Sequence, residues 1–183
     1  REGACVDRLQ ATSPCAGLLP IKIGTLSVEE VEAGPITSVT PLQGASMAAV
    51  ERALGVPFPE PLQSTGDDAR RCVWAGQGEA LLMGAVPDPS LKAYAAVVDQ
   101  SDAWAVVTLR GDAGADALAR LVPVDLRLAQ FGAGVTVRTQ LGHMNASITR
   151  LDEQTFMIAV FRSMAGTLVH DLQRALEAVA ARG

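Results

Sequence analysis

The sequence predicts an α+β fold in which a split βαβ (ferredoxin-like) unit occurs twice, side by side. Three observations carry this prediction. The order strand, glycine turn, helix, hairpin, helix runs through residues 36–100 and again through 101–183. The two runs can also be laid over each other. TPLQGASMAAVERAL placed on TLRGDAGADALARL brings Gly44 onto Gly111 and Leu42 onto Leu109, and QGEALLMG lies on EQTFMIAV. Finally, 49% of the 183 residues are hydrophobic, enough to build the core of one domain or of a pair of half-domains.

In chain order, residues 1–35 read as an extended lead-in. Pro14, Gly17, Pro20, Gly24, Gly34 and Pro35 interrupt regular structure there, leaving one strand around Ile21–Val28. Ile36–Leu42 follows as a strand, and Gly44 turns the chain into a helix over Ser46–Leu54 that Gly55 closes. Met47, Val50 and Leu54 of that helix fall at i, i+3 and i+7, one buried stripe. Pro57, Pro59, Pro61, Gly66, Asp67 and Asp68 make a loop. Cys72–Ala75 and Glu79–Gly84 are strands around the hairpin signal Gly76-Gln77-Gly78. Pro87-Asp88-Pro89 leads into a second helix over Ser90–Val98.

The second half opens with Ala103–Leu109, apolar on both faces and therefore an interior strand. Gly111 turns it and Asp112 is placed to cap a helix whose buried side is Ala117, Leu118 and Leu121, with Pro123 as its stop. Val135–Leu141 alternates, Val135, Val137, Thr139 and Leu141 inward and Thr136, Arg138 and Gln140 outward. Ala146–Leu151 and Thr155–Phe161 form a hairpin across Asp152-Glu153. The last helix runs from about Met164 to Ala181, with Leu168, Leu172, Ala175, Leu176 and Val179 inward and Ser163 as its cap.

Composition narrows the function. Charged residues make up 19%, under the ~25% usual for soluble domains, so the surface is either bland or partly covered by a partner. A net charge of −5 without any Lys/Arg run excludes a nucleic-acid footprint. Of the 15 basic residues only Lys22 and Lys92 are lysines, a bias that suits forked interface ion pairs and equally a GC-rich genome. Cys5, Cys15 and Cys72 form no CxxC pair and are odd in number, which points to a reducing compartment. REGACVDRLQ, with Glu2 and Asp7, lacks the apolar run of a secretory signal, and no stretch approaches the ~20 apolar residues of a membrane span. A cytoplasmic protein without membrane contact is expected.

Chemistry-bearing residues are sparse. His143, after Gly142 at a strand end, and His170, on the last helix, have no partner at ligand spacing, so no metal site is expected. Gly132-Ala133-Gly134 precedes a strand and does not open a helix, the wrong context for phosphate. Asp99 and Asp102 could form a polar site, but Asp-Gln-Ser-Asp is also turn chemistry. Arg138 and Arg162 are candidate anchors for a partner's carboxylates. Asp99, Asp102, Arg138, His143 and Arg162 are therefore candidate interface residues, and no catalytic, cofactor-binding or metal-binding residue is assigned.

The series D-Q-S-D-A-W, L-A-R-L-V-P-V-D-L, V-R-T-Q-L-G-H and F-R-S resembles the gamma subunit of bacterial heterotetrameric sarcosine oxidase. The likeness runs from Asp99 to the C-terminus, loosely over Pro41–Leu62, and hardly touches residues 1–35. It implies a fold similar to the folate-binding part of the glycine-cleavage aminomethyltransferases, whose catalytic aspartate has no counterpart assignable in this chain. It also implies a non-catalytic subunit that joins alpha, beta and delta partners. The implied complex demethylates sarcosine oxidatively to glycine, with hydrogen peroxide and one-carbon transfer to tetrahydrofolate. FAD, FMN, NAD, tetrahydrofolate and zinc would be held by the other subunits. Two alternatives remain open: a free-standing folate-binding or one-carbon transferase domain, and a gamma-type subunit of a complex acting on another N-methyl amino acid.

Overall fold

A computed structural model describes residues 11–182. Glu2, Cys5 and Asp7, and with them the reading of the leading segment as no secretory signal, lie outside the described residues. The first half contributes β3 (Ile36–Pro41), α1 (Met47–Leu54), β4 (Ser64–Gly66), β5 (Arg71–Gly76), β6 (Glu79–Met83) and β7 (Ala95–Asp99). The second contributes β8 (Trp104–Arg110), α2 (Gly114–Leu118), β9 (Thr136–Leu141), β10 (Met144–Arg150), β11 (Thr155–Phe161) and α3 (Ala165–Ala180). Ahead of both comes a hairpin, β1 (Ile21–Ile23) and β2 (Leu26–Glu30).

The strands form a five-stranded sheet in the order β4-β5-β6-β3-β7 and a six-stranded sheet in the order β1-β2-β8-β11-β10-β9. Every pairing is antiparallel. The fold is thus α+β, and both sheets share one plan: a three-strand meander, then the strand that opens the half, then an outer strand.

Alternation along the strands divides the apolar residues among three cores. Val106, Trp104, Met157 and Ala159 of the six-stranded sheet meet Ile36, Val73, Leu81 and Met83 of the five-stranded sheet. On its other face the six-stranded sheet packs Val107, Leu109, Ile148 and Ile158 against Leu118, Leu168, Leu172 and Leu176 of α2 and α3. The five-stranded sheet packs Val39, Cys72, Ala80 and Leu82 against Val50 and Leu54 of α1. Helices, sheet, sheet and helix therefore stack as four layers. Along one edge the sheets are stitched together: Gln63 bridges Val135, Ser64 N–H donates to the Gly134 carbonyl at 2.8 Å, and Thr136 N–H to that of Leu62 at 2.9 Å.

Several local expectations change. The lead-in is no bystander from Ile21 onward, because β2 pairs with β8 and buries Leu26 and Val28 in the larger core. Ser90–Val98 is not a helix. A 3₁₀ turn at Pro89–Ala93 gives way to β7, which pairs with β3. Val97 and Val98 prefer the pleat, and the ladder on β3 decides where alanines leave propensity neutral. The loop after α1 carries the short strand β4.

Met47 is 42% exposed, so the buried side of α1 is Val50, Ala53 and Leu54. Asp112 takes a hydrogen bond from Gln154 and does not cap α2. Ser163 sits in a 3₁₀ turn ahead of α3 and caps nothing. α2 ends at Leu118, before Pro123 can stop it.

Candidate functional site

The five candidate residues reach one end of the six-stranded sheet. β8 starts there, β11 finishes there, and β9 turns into β10 there, as the Trp104–Phe161 and Leu141–Met144 pairings show. No hydrogen bond or ion pair joins any two of the five among the described residues.

Asp99 does turn work. Its carboxylate accepts the Ser101 hydroxyl at 2.6 Å and the Ser101 amide at 2.9 Å, and these bonds hold its pKa below the ordinary range. The same hydroxyl oxygen accepts the Ile36 amide at 3.1 Å, so the DQSD turn pins the start of β3. Asp102 is exposed in that turn. His143 is exposed in the two-residue turn between β9 and β10. Arg162 donates its amide to the Ala103 carbonyl at 2.7 Å and its guanidinium to the Thr12 carbonyl, tying the early chain to the sheet end.

Arg138 does not simply face solvent. Ser147 opposite it pairs onward with Ala159, so Arg138 lies on the face that meets the other sheet. Its guanidinium stands 5.7 Å from the centroid of the Trp104 ring. Trp104 in turn stacks on Phe161 with centroids 5.1 Å apart and donates its indole N–H to Gln100 at 3.1 Å. Trp104 is 6% exposed and Phe161 46%. The result is an aromatic pair with one buried and one open member, rimmed by two arginines. Burying Phe161 against a partner would remove apolar area from water while Trp104 holds its ring in place.

These aromatics were missed in the sequence although both stand in the quoted motifs, Trp104 in DAW and Phe161 in FRS. Aromatics are only 4% of the chain, so one in the first and one in the last of the four motifs was the available signal.

Arg150 was missed as well. It is 2% exposed and donates to the Leu126 and Glu153 carbonyls, each at 2.6 Å, with Phe156 4.2 Å beneath it. Burial pulls its pKa down, opposed by Asp152 and Glu153. This arginine anchors the loop between α2 and β9 and faces no solvent.

At the other end of the inter-sheet layer is a cavity of about 290 Å³ with Met83, Leu151 and Met157 as floor and Glu29, Glu32, Arg71 and Arg110 at its rim. Among the described residues no three His, Cys, Asp or Glu gather into a metal-binding set. No described helix is long and apolar enough to cross a membrane.

Over 93% of its length the chain superposes on 96% of one chain of heterotetrameric sarcosine oxidase from Corynebacterium sp. U-96, solved with pyrrole 2-carboxylate, with a TM-score of 0.81 and 25% identity. The chain is similar to a sarcosine oxidase subunit. The likeness to the sarcosine oxidase chain agrees with the family that the Asp99–Arg162 motifs indicate. Aspartate kinase from Clostridium acetobutylicum superposes on 85% of the chain with 36% of its own, at 12% identity and a TM-score of 0.37, too low to bear on the fold. No family model and no curated protein matches the sequence.

Proposed function

We propose that this chain is the gamma-type, non-catalytic subunit of a heterotetrameric sarcosine oxidase-type complex. The end-to-end superposition on the sarcosine oxidase chain carries the reading, since it leaves almost nothing of either chain unmatched. In this reading the partners are alpha, beta and delta subunits. The complex demethylates sarcosine to glycine, releasing hydrogen peroxide and passing the one-carbon unit to tetrahydrofolate. FAD, FMN, NAD, folate and zinc reside on those partners, and this chain contributes surface. The open aromatic Phe161, backed by Trp104 and flanked by Arg138 and Arg162, is the side-chain set best suited to an interface.

Co-expression with the three partner subunits tests the proposal. The chain should co-elute with them, and Phe161→Asp should cut its recovery in the complex about tenfold while leaving the free chain folded. A complex that assembles and oxidises sarcosine with this chain left free in solution overturns the reading.

A further inference from the structure

The two sheets differ at their outer strands. In the six-stranded sheet the outer strand β2 is covered in turn by β1, antiparallel to it, and Ile21 and Ile23 of β1 pack into the helical-side core near α3. β7 holds the equivalent place in the five-stranded sheet, and there no described strand covers it. Its backbone phase is set by the Leu42 amide on the Tyr94 carbonyl and the Gln100 amide on the Ile36 carbonyl, both at 2.8 Å. Tyr94, Ala96, Val98 and Gln100 thus turn their backbone groups to β3. Ala95, Val97 and Asp99 turn theirs outward.

Where Ile21 and Ile23 fill the space between sheet edge and helical layer in one half, the other half leaves a groove of about 300 Å³. Val86, Pro87, Pro89, Leu91 and Val97 line it. Val86 is 70% exposed and Val98, on the opposite face of β7, 55%. Asp88 and Asp99 in the groove wall outnumber Lys92, so the groove favours a neutral or basic occupant.

We propose that the β7 edge docks an extended segment of another polypeptide, antiparallel to β7, with apolar side chains at alternate positions and neutral to basic charge. The segment's backbone takes the outward groups of Ala95, Val97 and Asp99, and its alternate side chains enter the groove as Ile21 and Ile23 do in the other half. The proposal stands apart from the identity of the complex, because it rests on the two halves of this chain alone.

Amide hydrogen exchange on the full chain tests it, with acetyl-Lys-Ile-Lys-Ile-Lys-Ile-amide as probe and the same peptide carrying serine for isoleucine as control. The isoleucine peptide should slow exchange at Ala95, Val97 and Asp99 about tenfold or more, and the serine peptide should not. Val97→Pro removes an outward donor without touching the β3 ladder and should abolish the response at an unchanged unfolding midpoint. Val86→Asp, which leaves the strand intact, should weaken it too. No slowing, equal slowing by both peptides, or protection that grows with protein concentration in the absence of peptide, the mark of a second copy on the edge, overturns the proposal.

Discussion

Cys72 lies at the buried face of β5 with none of its surface exposed, and burial pushes its thiol up to about 12 from 9.0. Burial, with the Glu30 carboxylate beside it, pushes Cys15 up to about 11. Below pH 9 both thiols are neutral whether the chain is folded or not, and they cost nothing. Between 9 and the folded values the unfolded chain has lost protons that the folded chain keeps, so stability falls as pH rises. Urea midpoints taken from pH 8 to 10.5 should decline, and Cys72→Ala should recover on the order of 1–2 kcal/mol of the loss. An identical decline in the variant would mean that Cys72 ionises freely. The sequence could say only that these cysteines form no metal or disulfide pattern. Their inertness comes from burial, which three residues scattered along a chain do not reveal.

Among the elements, the repeat was legible in outline and wrong in register. Matching Gly44 with Gly111 puts Val39 on Val106, yet Val39 faces the helical layer and Val106 the other sheet. A strand slip by one residue exchanges the two faces, and glycine turns do not record which face a strand presents. The glycines also differ in surroundings. Gly44, at φ 79, has nothing within 4 Å of where a Cβ would stand. A Cβ on Gly111, at φ 127, would stand 2.6 Å from the Thr25 carbonyl oxygen and 2.8 Å from Leu26 Cδ2. Gly44→Ala should therefore cost about 1–2 kcal/mol of backbone strain. Gly111→Ala should cost at least roughly twice that, because the β1–β2 turn must also move. Chemical denaturation of both variants checks the order, and equal costs would place the hairpin elsewhere.

For the molecule as a whole, the segment ahead of Ile36 decides whether the larger sheet can close. β2 supplies Leu26 and Val28 to the core and pairs Ser27–Glu30 with Val107–Arg110 of β8. A chain lacking residues 1–30 loses that neighbour and opens the core positions of Cys15, Leu26 and Val28. It should aggregate or unfold without cooperativity, since an interior strand such as β8 would become a hydrophobic edge. Scanning calorimetry reads the outcome directly. A truncated chain that melts near the full-length midpoint would restore the view of residues 1–35 as a lead-in.

The sequence by itself determined the α+β class, most strands and the long terminal helix. It also carried, in the series DQSDAW, LARLVPVDL, VRTQLGH and FRS, the resemblance that the superposition supports. These follow from periodicity, turn residues and short motifs, which are local properties. Only the tertiary structure decided that β2 takes the place in one sheet that β7 takes in the other, and that Ala95–Asp99 is a strand. It alone set Arg138 over Trp104 and gave Arg150 carbonyl partners in place of carboxylates. Each of those depends on which strand lies beside which, and antiparallel neighbours far apart in sequence leave no mark on the residues between them.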